Sequence, residues 1–185
     1  MFRPERWEYR LILTDVDRGL NAERTVVVGR HPSETTSHLV LRMLAYCLVY
    51  SDDLSFGPGV CVGDAPDLVA HDLTGQLSLW VGVADVSPDL AKKVVQHNRD
   101  AKAHIVFDSD ERLQAFFTRI RHWPKPPRNW NNLTVWLPPT AMLAQLESME
   151  TLRQRWIVTI SGGHLYLEVD GVMLDGEVSS WVAPR

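Results

Sequence analysis

Cysteine is scarce in this sequence, which contains two among 185 residues, Cys47 and Cys61. The two have neither a CxxC spacing nor the ligand spacing of a zinc site, so a cysteine-bound metal is not expected. Cys47 falls in an apolar helical pattern, where a thiol is typical of a packed core. This use of cysteine favours a reducing, cytoplasmic environment.

Long hydrophobic runs and an excess of positive charge are also lacking. No segment approaches the roughly 18 apolar residues of a membrane span. The N-terminal stretch MFRPERWEYR lacks the apolar run of a signal peptide, so we expect no membrane association. With a net charge of −4, the surface as a whole does not attract nucleic acid, and such binding must come from a local patch.

The signatures of several common enzyme classes are missing. The sequence contains no GxxxxGK[ST] phosphate loop, no HExxH motif, no GxSxG elbow and no GxGxxG after a strand. Its seven histidines are scattered without a metal-ligand spacing. Function therefore has to be inferred from less common patterns.

What is present is the pattern of an α/β protein. Trp7–Val16 alternates apolar and polar residues and predicts a strand, paired with Arg24–Val28 across the turn DRGLN. The stretches SPDLAKKVVQHNRD and SDERLQAFFTRIRHW predict helices, the first with Ser87 at the N-cap. Short strands and hairpins alternate with these helices. This order predicts a single domain over residues 1–185, a mixed β-sheet with flanking helices.

The first predicted helix combines an apolar stripe with a polar side. Ser33 is the expected N-cap, and Glu34 is placed in the first turn, where the helix dipole favours a carboxylate. Glu34, His38 and Arg42 are spaced four residues apart and lie roughly along one side. The predicted buried stripe comprises Leu39, Val40, Met43, Leu44, Cys47 and Leu48.

Two residues in the first half of the chain, Asp67 and Gly82, bear on whether the protein has a metal site. Asp67 follows a proline at the start of a predicted strand, in GDAPDL, where a carboxylate can share a magnesium ion with an acid of the next strand. A turn or strand cap is the alternative for Asp67. The next strand, LSLWVGVADV, carries Gly82 at its centre, and a mid-strand glycine marks a bulge or a close approach.

Several motifs together resemble the YaeQ family. They are RHPSET (30–35), LRMLAY (41–46), LSFGPGVC (54–61), DAPDL (64–68), LW (79–80), KKV (92–94) and NLTVW (132–136), in matching order and spacing. The resemblance implies a variant of the restriction-endonuclease-like, or PD-(D/E)XK nuclease, fold.

The same resemblance implies a polar cavity with named residues. It carries over Glu34, Arg42, Asp67 and Lys93 as candidate catalytic residues, with Glu34 and Asp67 as the ligands of a Mg²⁺ ion that binds weakly or not at all. Gly82 stands where the family has the second metal-binding acid. Asp85 could replace that acid only if a bulge at Gly82 turned it to the same face.

A basic and aromatic stretch, RIRHWPKPPRNW (119–130), suggests a nucleic-acid contact. Cations interleaved with tryptophans suit phosphates and stacked bases. The alternative is structural, because cations near a helix C-terminus complement its dipole and tryptophans often pack beside proline-rich loops. The candidate nucleic-acid-binding residues are Arg119, Arg121, Lys125 and Arg128.

These observations leave two main functions open. The first is a binding or regulatory protein of nuclease-related fold, with a degenerate metal site and a nucleic acid or protein partner. The alternative is an active magnesium-dependent phosphodiesterase or nuclease. A third, an enzyme of unrelated chemistry that uses Glu34, Arg42 and Lys93, has no motif behind it. Whether the protein is an enzyme, and its oligomeric state, are not determined by the residues alone.

Overall fold

The computed structural model describes residues 4–58, 63–125, 127–149 and 151–183. Within them the chain forms eleven strands and four α-helices. The strands are β1 (Glu5–Asp15), β2 (Leu20–Arg30), β3 (Ser55–Phe56), β4 (Leu68–His71), β5 (Leu77–Val83), β6 (Lys102–Val106), β7 (Leu133–Leu137), β8 (Arg153–Ser161), β9 (His164–Val169), β10 (Val172–Glu177) and β11 (Ser179–Val182). The helices are α1 (Thr36–Leu48), α2 (Pro88–His97), α3 (Asp110–Arg121) and α4 (Thr140–Ser148).

The strands form two sheets rather than the single sheet expected, and each is mixed as predicted, with both parallel and antiparallel pairs. One sheet has five strands in the order β10-β9-β8-β1-β2. In it β1 pairs antiparallel with β2 and parallel with β8, so that Leu11 lies opposite Trp156. That pairing joins the two ends of the chain, a long-range contact which local periodicity cannot predict.

The second sheet has six strands in the order β11-β7-β6-β5-β4-β3. Its central strands β5, β6 and β7 are parallel, and the outer strands pair antiparallel. Strands β4 and β5 form an antiparallel hairpin, with Leu68 opposite Val81. Both sheets and their helices make up a single α/β domain.

Helix α1 lies between the sheets, where both of its sides are covered. Its apolar residues share one buried cluster with residues of both sheets, including Leu11 and Trp156 of the first and Val81 of the second. All ten residues from Leu39 to Leu48 are buried, rather than a single stripe. A helix that is apolar on nearly all sides is typical of such a fully enclosed position.

A second cluster covers the opposite face of the six-stranded sheet. Helices α2 and α3 pack there against Trp80 of β5 and Ile105 of β6. Ser87 caps α2 as predicted, since its side chain accepts a hydrogen bond from the backbone N–H of Leu90 at 3.1 Å. Across the described segments, no helix combines the length and apolar character needed to cross a bilayer.

Candidate functional site

Glu34 lies just before the N-terminus of α1, outside the first turn of the helix. Thr35 is the N-cap, because its side chain accepts a hydrogen bond from the backbone N–H of His38 at 3.2 Å. The prediction of Ser33 as N-cap is wrong, and so is the placement of Glu34 within the helix. The Ser33 hydroxyl instead lies 2.7 Å from His31 Nδ1. The Glu34 side chain is buried just ahead of the helix.

Glu34 and Arg42 form a buried ion pair. Arg42 Nη1 lies 3.0 Å from Glu34 Oε1 and 3.3 Å from Oε2. The two residues are only 2% and 1% exposed, so neither charge reaches bulk water. A buried charge is costly unless it is paired, which makes each residue dependent on the other.

His38 connects this pair to Asp67. Its Nδ1 lies 2.8 Å from Glu34 Oε1, and its Nε2 lies 3.4 Å from Asp67 Oδ1. The imidazole thus stands between two carboxylates, and only its protonated form donates to both. The helical spacing of Glu34, His38 and Arg42 is visible in the sequence, but the candidate site residues predicted there do not include His38.

Asp67 is held by backbone contacts just before β4. Its Oδ2 accepts a hydrogen bond from the Val83 N–H at 2.8 Å, and its own carbonyl accepts one from the Gly57 N–H at 2.8 Å. A Cβ at Gly57 would lie 1.9 Å from the Pro66 carbonyl oxygen. Glycine is therefore required at position 57 for the chain to approach this closely.

The two carboxylates of the cluster have opposite pKa shifts. Burial raises the pKa of Glu34, but the hydrogen bond from His38 and the charge of Arg42 outweigh it, and the net pKa is lowered. For Asp67, burial dominates and raises the pKa, although the Val83 N–H, His38 and Arg42 act against it. Glu34 is thus the firmly ionised member, and Asp67 takes up a proton more readily.

Lys93 does not join this cluster. Its Nζ pairs with Asp64 Oδ2 at 2.8 Å on the surface, where both side chains are more than half exposed. Asp85 is also directed elsewhere, since it pairs with Arg112 at 3.3 Å and its side chain is 86% exposed. The pairing of β5 with β6 runs without a bulge through Gly82 and Val83, so Asp85 is not turned toward Asp67.

Gly82 marks a close approach, one of the two possibilities that its position suggested. A Cβ at this position would lie 2.6 Å from Trp80 Cη2 and 2.6 Å from Val86 Cγ2. The indole of Trp80 therefore fills the space that a larger residue would need. An aspartate at position 82 fits only if this buried ring moves.

The chemistry of the cluster does not fit a magnesium ion. Magnesium prefers oxygen ligands in octahedral geometry and gives up its water reluctantly, whereas both carboxylates here already face Arg42 or His38. Arg42 Nε is buried without a hydrogen-bond partner, 3.9 Å from Asp67 Oδ1. This N–H group belongs to a positively charged guanidinium, so it repels a cation. Within the described residues, no group of three or more His, Cys, Asp or Glu could hold a metal.

The candidate basic residues are exposed but do not share one cleft. Lys125 and Arg128 line a cleft of about 410 Å³ together with Lys92 and Arg99. Arg119 and Arg121 line two other clefts. Lys92 and Arg99 join this cleft only through the fold, because they lie far from the loop in sequence.

The two tryptophans of this stretch have a structural role. Trp123 packs against the buried Trp130 with ring centroids 5.3 Å apart. Lys92 lies over the Trp123 ring at 5.3 Å from its centroid, a cation–π contact. The ring of Trp123 is thus engaged on the protein side.

Known proteins resemble this chain over most of its length. The family described as YaeQ protein matches residues 2–178. The YaeQ proteins of Escherichia coli (strain K12) and Salmonella typhi are 26% and 25% identical, and each alignment covers 93% of this chain and 92% of the relative. The crystal structure of YaeQ from Xanthomonas axonopodis pv. citri has a TM-score of 0.86 at 24% identity, covering 98% of this chain and 99% of that one. That from Pseudomonas syringae has a TM-score of 0.84 at 23% identity, with 98% and 97% coverage. The chain belongs to the YaeQ family.

Proposed function

We propose that this protein is a binding or regulatory protein whose fold is a variant of the restriction-endonuclease-like fold and whose ancestral metal site is degenerate. The observation that carries the proposal is the engagement of Glu34 by Arg42 and His38. A guanidinium and an imidazole stand where a divalent cation would have to bind. The free buried thiol of Cys47 is compatible with a cytoplasmic setting for this role.

The charge balance of the cluster supports binding without metal-dependent cleavage. A magnesium ion would have to displace Arg42 from Glu34, and the buried guanidinium would then lose its counter-charge. A carboxylate at position 82 would also require the side chains of Trp80 and Val86 to move. With so few free protein oxygens, an ion would keep most of its water and bind weakly.

Of the two partner classes, the exposed cations favour a nucleic acid over a protein. Lys125 and Arg128 share their cleft with Arg99, and no described carboxylate forms an ion pair with these three side chains. Unpaired cations around a concave surface are suited to phosphates, whose contacts provide most of the affinity for nucleic acid. Because the protein has a net charge of −4, this attraction is local.

Metal titration tests the degenerate site. Calorimetry is expected to show no saturation with Mg²⁺ or Mn²⁺ up to millimolar concentration, and the melting temperature is expected to be equal with metal at that concentration and with chelator. A labelled oligonucleotide incubated with either metal should stay intact. Metal binding that disappears in Asp67→Asn, together with cleavage, would instead establish the magnesium-dependent phosphodiesterase.

A matched pair of variants tests the basic surface. Fluorescence anisotropy with a labelled single-stranded oligonucleotide is expected to show binding at low salt. Replacing Arg99, Lys125 and Arg128 with Ala should weaken it and reduce the slope of log K against log salt by about 2. The control variant loses three exposed arginines of the five-stranded sheet instead: Arg6, Arg10 and Arg153.

The outcomes separate the two partner classes. Equal losses in the two variants would show nonspecific attraction, and no binding by the natural protein at low salt would remove nucleic acid as the partner. The second result would leave a protein as the proposed partner.

A further inference from the structure

A cleft of about 840 Å³ opens away from the Glu34 cluster. Its floor is the face of the six-stranded sheet near the start of β5, β6 and β7, whereas Asp67 contacts Val83 at the opposite end of β5. Its walls are the β1–β2 turn, the β8–β9 turn and the C-terminal end of α1. The cleft is therefore separate from both the Glu34 cluster and the basic surface.

The floor of this cleft carries polar side chains on the inner strands β6 and β7 and on the edge strand β11. Lys102 and His104 of β6, Thr134 of β7 and Ser180 of β11 all line it. Further along the same face of β6, Val106 is buried in the α1 core. Covering these polar groups with apolar residues would cost free energy, because they would lose their hydrogen bonds to water. A ligand that accepts or donates hydrogen bonds can cover them without this cost.

One hydrogen bond determines which nitrogen of His104 carries the proton. Trp136 donates from its indole Nε1 to His104 Nδ1 at 2.9 Å, so a neutral imidazole is protonated at Nε2. Burial, together with the charges of Arg18 and Lys102, lowers the pKa of His104 to about 4. At neutral pH the ring is therefore an uncharged donor beside a lysine.

The acidic residues of the cleft are already engaged. Asp15 accepts from Arg18 Nε at 2.6 Å and from the Arg18 backbone N–H at 3.0 Å. Asp17 accepts from the backbone N–H of Gly162 at 2.9 Å. The Lys102 ammonium forms no ion pair with a carboxylate among the described residues, so it remains available to a negatively charged ligand.

We propose that this cleft binds a small organic oxyanion, a carboxylate or a phosphate monoester that carries an apolar, preferably aromatic, body. The oxyanion accepts hydrogen bonds from Lys102 Nζ and His104 Nε2–H, with the Thr134 hydroxyl nearby. The body packs against Leu79 and Trp136, which line the same cleft. This site is independent of nucleic-acid binding, because it uses none of the residues of the basic surface.

NMR titration tests the proposal with three probes of one shape: phenyl phosphate, benzoate and neutral benzamide. The reporter is the indole N–H resonance of Trp136, assigned by its loss in Trp136→Phe. A saturable shift is expected with an anion and not with benzamide. The stronger of the two anions identifies the headgroup as phosphate or carboxylate. No shift with either anion overturns the proposal, as does an equal shift with benzamide.

A charge-matched pair of variants locates the site. Lys102→Met should weaken binding of the better anion about tenfold or more, since a hydrogen bond to a charged group is worth about 1.5 kcal/mol or more. Arg10→Met, which removes one exposed charge from the other sheet, should bind like the natural protein. Unchanged affinity in Lys102→Met refutes the assignment, and the titration of the natural protein tests the cleft even if that variant is unstable.

Discussion

The Glu34–Arg42 pair allows a sharp test, because its two charges depend on each other. In Arg42→Met, an unbranched apolar side chain replaces the aliphatic part of Arg42, and the guanidinium is lost together with its cation–π contact to Phe56, whose ring centroid lies 5.1 Å away. The Glu34 carboxylate then remains 2% exposed without its main counter-charge. Removing one partner of a buried pair costs about 3–5 kcal/mol. For a chain of this size, this corresponds to a fall in melting temperature of about 6–20 °C.

The loss should depend on pH in a defined direction. In the natural protein the pKa of Glu34 lies below its ordinary value of 4.5. The stability that this carboxylate contributes is therefore present above pH 4.5 and is lost as pH falls through the lowered pKa. In Arg42→Met the burial remains and the pKa rises, so Glu34 is protonated more easily. The difference in stability between the two proteins should shrink between pH 7 and pH 5.

Urea unfolding followed by circular dichroism measures both effects. The double variant Glu34→Gln/Arg42→Met removes both charges and should be more stable than Arg42→Met alone. A loss below about 1 kcal/mol in Arg42→Met, the range of an exposed ion pair, would refute the reasoning. So would a loss that is equal at pH 7 and pH 5.

Single substitutions at four other positions test the packing and charge of individual side chains. Gly82→Ala should lose about 1–3 kcal/mol of stability in urea unfolding, because its Cβ meets Trp80 at 2.6 Å; an unchanged midpoint would show that the indole moves freely. Gly57→Ala should lose more than Gly82→Ala, since its Cβ meets a backbone oxygen at 1.9 Å, and the reverse order would contradict this comparison. His104 has its pKa lowered from 6.5 to about 4, so the unfolded chain binds the extra proton and stability falls by about 3 kcal/mol as pH drops between those values. His104→Gln should flatten that part of the stability–pH profile, and an equal slope in both proteins would argue against it. Lys93→Met should change stability by less than about 1 kcal/mol, because its pair with Asp64 is exposed; a larger loss in the melting curve would place Lys93 in the cluster after all.

Part of the site could be predicted because its residues are close in sequence. Glu34, His38 and Arg42 follow a helical spacing, and the structure brings them together. Asp67 reaches the same cluster through backbone contacts to Gly57 and Val83. Lys93 has the right residue type in a matching motif, but the orientation of α2 directs it to Asp64 on the surface.

The sequence by itself determined the features that depend on near neighbours. The alternation of Trp7, Tyr9, Leu11 and Leu13 in β1 and the cap at Ser87 follow from steric and hydrogen-bonding rules over a few residues. Only the tertiary structure decided that β1 pairs with β8, that α1 is covered on both sides, and that Trp80 occupies the space above Gly82. It also decided the charge states of the cluster, because burial and the distance between charges exist only once distant segments pack together.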